Sequence, residues 1–292
     1  MDLLYTEKGE NYNIKKQATV KVTTYTNTNE KEVQDIKNKS NINFRNCRRI
    51  NGKEYVDAET GEIKKYNNNK TKTTNGIRRS MNRFRKVIKN NFTGAGNEIF
   101  ITLTTEEVVS DFDTIIDFFN TFWEELKKLN KNLECVYVVE LQEERNSWHI
   151  HTLIKDTTRR RLYIDNEIVA NLWGKGNTKT SRIKKRGRTK EFKRVGTINT
   201  NNEIEQDEVI GINAVIAYMT KVRTKEQVPR GKRCYGRSKG IKTPITTNST
   251  YEEFSEQIND DYILQNESTI LLRNKETKSI VNKIKYETWK KR

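Results

Sequence analysis

The chain's two histidines stand one residue apart, His149 and His151, within Trp148-His149-Ile150-His151-Thr152-Leu153-Ile154. In a β-strand, residues i and i+2 point to the same face. The spacing therefore sets two imidazoles side by side, and imidazole is a common ligand for divalent metals. Glu140 precedes His149 by nine residues, near the end of an apolar run over residues 133–142 that reads as a second strand. The polar link at residues 143–147 is too short to hold a helix, so the two strands should pair antiparallel. Across that hairpin Glu140 can face the histidines as a third ligand, with Gln142 and Glu144 as alternatives. Two imidazoles and one carboxylate leave open positions for water or substrate oxygens. A Mg²⁺ or Mn²⁺ ion there would rely on substrate phosphate to complete its shell, and nitrogen ligands favour Mn²⁺. Such an ion would polarise a phosphodiester and offset charge in its transition state.

A nucleophile is then needed. Both histidines are already committed, and Cys47, Cys135 and Cys234 have no visible activator. Tyrosine can act covalently. Among twelve tyrosines, Tyr218 stands out because Lys221 follows three residues later. On a helix that spacing puts both on one face, where the lysine can hold phosphate or stabilise a phenolate.

The charge balance points to a polyanion. The 292 residues carry 56 Lys and Arg against 39 Asp and Glu, a formal net charge of +17. Such an excess favours nucleic acid or an anionic surface. It concentrates at residues 175–194, where ten cations, including Lys184, Lys185, Arg186 and Arg188, meet only Glu191. A second concentration, Arg78, Arg79 and Arg83, lies within residues 77–90, whose apolar positions recur at helical steps. Both stretches read as phosphate-binding. The scattered cysteines form no C-x-x-C pair, which argues against a disulfide framework or thiolate zinc site and fits a reducing compartment. The N-terminal residues lack a secretory pattern and no stretch is apolar enough for a membrane span, so a cytoplasmic protein is expected.

Positioning elements follow from pattern. Residues 19–25 alternate as a strand, and residues 54–63 read as two short strands around a turn at Thr60-Gly61. Asn67-Asn68-Asn69-Lys70 is a polar break. Residues 98–104 read as a strand with Phe100, Thr102 and Thr104 on one face. A helix with an aromatic stripe, Phe112 to Leu129, follows, with Ser110 as its cap. A short helix is expected at 164–172, and another over 205–222 carrying Tyr218. A further helix should start after Thr250, with Glu253 as capping partner, and run through Tyr262. The basic end, 275–292, reads as a last helix or a tail. The domain reading is an N-terminal extension at 1–75, a catalytic domain at 76–245 and a helical, basic C-terminal extension at 246–292.

Taken together, these motifs resemble rolling-circle replication initiators of the His-hydrophobe-His (HUH) endonuclease superfamily, the type found in small bacterial plasmids and phages. Phe100-Ile101-Thr102-Leu103-Thr104 resembles the first strand motif, His149-Ile150-His151 the metal motif, and Tyr218-Met219-Thr220-Lys221 the nucleophile motif. Tyr235-Gly236-Arg237-Ser238-Lys239-Gly240 resembles the stretch that often follows the tyrosine, which adds Arg237 to the expected DNA contacts. The resemblance covers residues 77–245. It implies an α+β fold, an antiparallel sheet with helices packed on it, close to the ferredoxin-like plan. It also implies nicking of single-stranded or hairpin origin DNA, with Tyr218 joined to the 5′ phosphate and a 3′ hydroxyl released. The metal, Mn²⁺ or Mg²⁺, would sit on His149, His151 and Glu140. A host helicase and polymerase, and a second copy of the chain, are the implied partners. Val222 stands where many relatives carry a second aromatic, so a two-tyrosine shuttle is not implied. No Gly-x-x-x-x-Gly-Lys-Ser/Thr motif is present, which argues against a built-in helicase. A conjugative relaxase or single-tyrosine transposase would use the same chemistry. A non-catalytic nucleic-acid binder with structural histidines is the alternative of a different class.

Overall fold

The computed structural model describes residues 19–26, 28–36, 47–51, 54–57, 61–65, 74–185, 194–195, 207–222, 225–229, 231–273 and 280–292. In chain order these hold β1 (Thr19–Tyr25), β2 (Glu30–Ile36), β3 (Cys47–Arg49), β4 (Glu54–Asp57), β5 (Ile63–Lys65), α1 (Thr74–Asn91), β6 (Glu98–Leu103), α2 (Phe112–Leu129), β7 (Leu133–Gln142) and β8 (Ser147–Asp156). Then come α3 (Asn166–Trp173), β9 (Thr178–Lys184), β10 (Arg194–Val195), β11 (Asp207–Gly211), α4 (Ile212–Met219), β12 (Tyr235–Arg237), β13 (Ile245–Thr250), α5 (Tyr251–Glu256), β14 (Tyr262–Arg273) and β15 (Ile280–Lys291). The protein is α+β, with helices packed on largely antiparallel sheets. It divides into two compact units, Asn69–Pro244 and a second made of Met1–Asn68 with Ile245–Arg292.

The larger unit is built on a sheet whose described strands run β10-β11-β9-β6-β8-β7-β12. Its centre, β9-β6-β8-β7, is antiparallel throughout and comes from the chain order β6-α2-β7-β8-α3-β9. That is the ferredoxin-like βαββαβ plan. β11 extends it by pairing parallel to β9.

The helices cover both faces. α2 buries Phe112, Ile115, Phe119, Phe122 and Leu126, a stripe at three- and four-residue steps as an amphipathic helix requires. Phe119 meets Tyr137 at 4.3 Å between ring centroids, and Phe122 meets Trp173 of α3 at 6.0 Å. α1 lies on the other face, where Phe84 stacks on Tyr235 at 4.3 Å. A Cβ at Gly236 would fall 2.4 Å from Tyr137 Cζ. β12 can therefore lie against β7 at this point only without a side chain there.

Asp111, not Ser110, caps α2. Its carboxylate accepts from the Thr114 amide at 2.8 Å, while the Ser110 carbonyl accepts from Trp148 Nε1 at 2.9 Å. Asp111→Ala should therefore lower the thermal midpoint by about 2 °C, with Ser110→Ala close to neutral. Calorimetry on the two variants checks the assignment, and the reverse ranking would contradict it.

The smaller unit has the described strand order β13-β1-β2-β15-β14, beside a three-stranded sheet β3-β4-β5. Val20, Val22, Val33 and Phe254 form its core, with Ile258 and Trp289 against it. The helix expected from Thr250 exists, with Thr250 and Glu253 forming a reciprocal capping box, but it stops at Glu256. The expected helical tail is instead the β14–β15 hairpin, and β15 pairs with β2. Ile284, Tyr286 and Thr288 alternate with Lys283, Lys285 and Glu287, a period of two rich in β-formers. The lysines obscured that period. The helix expected over 205–222 also divides. Residues 207–211 pair with β9, and helix begins only after Gly211. Partnership with a neighbouring strand outweighs the local apolar spacing there.

Candidate active site

The hairpin of β7 and β8 places the histidines. Its turn ends on Asn146 at φ 49°, a left-handed conformation that asparagine tolerates better than most residues. That turn sets the register in which Glu140 faces His149 and Val138 faces His151. Directly opposed residues share a face, so Glu140, His149 and His151 converge on the side of the sheet that carries α4. Trp148 and Ile150 turn to the α2 side, where Trp148 meets Phe112 edge-on at 5.2 Å.

One ligand atom from each of Glu140, His149 and His151 lies within 4.8 Å of the others, so the group could hold a metal ion. His149 Nε2 and His151 Nε2 are 2.9 Å apart, and His151 Nε2 is 3.5 Å from Glu140 Oε2. Adjacent donors around a six-coordinate ion with bonds of about 2.1 Å stand about 3 Å apart. The donor chemistry and spacing fit a divalent ion with one face open. Thr102 supports the arrangement from β6, its Oγ1 lying 3.0 Å from His151 Nδ1. That hydrogen bond leaves His151 Nε2 for the cleft, the outer support expected of a ligating imidazole.

Burial sets the protonation states. His149 is held down at about 3, by burial first and then by the charge of protonated His151. His151 is also lowered, again by burial, against the pull of Glu140. Burial opposes ionisation of Glu140, but the hydrogen bond to His151 and the charge of Lys225 outweigh it, leaving the carboxyl at about 2. At neutral pH the site therefore presents a carboxylate and two neutral imidazoles, the forms that bind metal. In the unfolded chain the histidines titrate near about 6.5. Below that value the unfolded state binds more protons, so the metal-free fold should lose stability as pH falls from about 6.5 toward 3. The thermal midpoint measured in chelator should drop over that range. A His149→Ala, His151→Ala double variant should drop less, and an equal drop would contradict the assignment.

Tyr218 sits on α4 with its ring 4.8 Å from that of His151 at 80°, and 6.4 Å from Phe100. Partial burial, then the charge of Glu140, pushes its phenol up to about 12. Tyr218, Glu140, His149 and His151 line one cleft of about 640 Å³, shared with Phe100, Thr102 and Lys179. Lys179, Thr102 and His151 stand opposite one another across β9, β6 and β8. The cleft thus holds a metal-competent group, a half-exposed phenol and a cation.

The other expected residues fall elsewhere. Lys221 follows the Thr220 cap, beyond the end of α4, and does not line this cleft. Gln142 and Glu144 line it but are not in the three-ligand group. Arg78, Arg79 and Arg83 are exposed on α1. Lys184 and Lys185 are exposed at the end of β9, whereas Arg186 and Arg188 lie outside the described residues. Arg237 is exposed on β12 and donates to the Ile241 carbonyl at 3.1 Å. Sequence reasoning missed Thr102, Lys179 and Lys225 as parts of the site. The alternation that put Thr102 on a face with Phe100 was readable. Its pairing with the histidine strand was not.

Residues 98–192 match a family model for replication-associated proteins of the ORF2 type. The match runs from β6 past β9 and so contains Glu140, His149 and His151, but not Tyr218. It supports a replication initiator family, and with it interaction with DNA. Neither the curated proteins nor the solved structures gave a match. No helix among the described residues is long and apolar enough to cross a membrane.

Proposed function

We propose that the protein is an origin-nicking, metal-dependent endonuclease and strand transferase that starts rolling-circle replication on single-stranded or hairpin DNA. The observation that carries this reading is the placement of Tyr218 4.8 Å from the His151 ring, in one cleft with Glu140 and His149. The replication-associated match over the same hairpin agrees with it.

In the proposed reaction the Tyr218 oxygen attacks the scissile phosphorus. The bond to the 3′ oxygen breaks, a 5′-phosphotyrosine forms, and the phenolic proton ends on the released 3′ hydroxyl. His149, His151 and Glu140 would hold Mn²⁺ or Mg²⁺, which supplies polarisation of the phosphodiester and stabilises the leaving oxygen. Thr102 keeps the His151 ring in place. Lys179 offers a positive charge to the phosphate from the cleft wall. A phenol raised to about 12 is protonated at neutral pH, so attack depends on deprotonation within the cleft. Lys221 is proposed to assist from beyond the helix end. Arg78, Arg79, Arg83, Lys184, Lys185, Arg186, Arg188 and Arg237 would bind flanking phosphates.

The test is cleavage of single-stranded oligonucleotides from the DNA beside the gene, with Mn²⁺ or with EDTA. The account expects Mn²⁺-dependent nicks whose 3′ ends a polymerase extends. Tight binding with no nick across that DNA would favour a non-catalytic binder.

A further inference from the structure

The carboxylate at the candidate metal centre already has a cation. Lys225 Nζ donates to Glu140 Oε2 at 3.0 Å, and the same oxygen lies 3.5 Å from His151 Nε2. The Lys225 side chain is fully buried and that of Glu140 is 8% exposed. Burying an ammonium is costly unless its partner is charged and well placed. Holding a long lysine stem in one geometry costs conformational entropy as well.

The backbone fixes where this charge sits. The Lys225 amide donates to the Val222 carbonyl at 3.0 Å, and its own carbonyl accepts from Val228 at 3.3 Å. Lys225 follows Tyr218 by seven residues. One short segment thus carries both the candidate nucleophile and a positive charge aimed at a candidate ligand. Lys225 does not line the cleft, so its charge acts through Glu140.

Electrostatics then makes a specific demand. Two neutral imidazoles, one carboxylate and one ammonium carry no net charge. A divalent ion entering this group meets a carboxylate whose charge is already matched, and a fixed cation close behind it. A phosphodiester in the cleft would restore the missing negative charge. We propose that Lys225 is a positioning residue, a fixed counter-charge that orients Glu140 and keeps divalent-ion binding weak until DNA phosphate arrives. The proposal rests on the reading of Glu140, His149 and His151 as metal ligands.

The test titrates Mn²⁺ into the full chain, by electron paramagnetic resonance of the free ion. It runs with and without a mixed-sequence single-stranded oligonucleotide, in a Tyr218→Phe background. Lys225→Met and Lys225→Gln should bind Mn²⁺ at least about tenfold more tightly without DNA. The gain in Mn²⁺ affinity on adding DNA should shrink in both. Lys225→Arg should behave like the parent. Lys225→Gln keeps a hydrogen-bond donor for Glu140, and Mn²⁺ should raise its thermal midpoint more than it raises the parent's.

Folded neutral variants that bind Mn²⁺ no more tightly than the parent would overturn the role of Lys225 and leave the ligand set standing. Variants that stay unfolded even in saturating Mn²⁺ would mark Lys225 as purely structural and overturn it too. Absence of Mn²⁺ binding in the parent, with and without DNA, would overturn the ligand reading together with it.

Discussion

Tyr218→Phe is expected to lower strand cleavage by about four orders of magnitude or more while leaving affinity for single-stranded DNA within about twofold. The substitution removes one oxygen and keeps the ring. The edge-on contact with His151 at 4.8 Å and the contact with Phe100 at 6.4 Å are made by that ring. The cleft should therefore keep its shape and its ability to hold DNA. Cleavage and binding are measured separately, by denaturing gel and by fluorescence anisotropy. Normal nicking by Tyr218→Phe would remove the tyrosine from the mechanism. Loss of binding together with cleavage would instead place Tyr218 among the groups that hold DNA.

Replacing both histidines with alanine should weaken Mn²⁺ binding by about 100-fold or more and lower cleavage by at least about 10³-fold. The two Nε2 atoms lie 2.9 Å apart, and Glu140 remains as the single donor once they are gone. One carboxylate already paired with Lys225 is a poor site by itself. Calorimetric titration reads the affinity directly. An unchanged Mn²⁺ affinity would dismiss this group as the metal centre, whatever happens to activity.

These expectations depend on features that differed in how far the sequence exposed them. The His149-Ile150-His151 spacing and the short link after Gln142 were enough to place both imidazoles on one face of a hairpin. The register opposite Glu140 follows from the same short turn. The aromatic stripe of α2 was legible because its period is long and uniform, yet its cap was misplaced by one residue. Ser110 and Asp111 are both good capping types, and only the contact between Trp148 and the Ser110 carbonyl separates them.

Long-range partnerships were not legible. Lys225 looked like one more cation in a basic segment, and nothing local marks it as buried against Glu140. Thr102 reaches His151 only because β6 pairs with β8. The strand over 207–211 exists because β9 lies beside it. β15 similarly depends on β2, which lies near the other end of the chain. Each is a contact between distant segments, where pairing decides the conformation that local propensity leaves open.

The central claim is that Tyr218 becomes joined to DNA. Its most direct test is mass mapping of the protein after reaction with single-stranded origin DNA and Mn²⁺, followed by nuclease trimming and proteolysis. The account predicts a nucleotide-modified peptide whose fragment ions place the phosphate on Tyr218, absent in EDTA. A modification on another residue, or cleavage with no modified peptide at all, would contradict it.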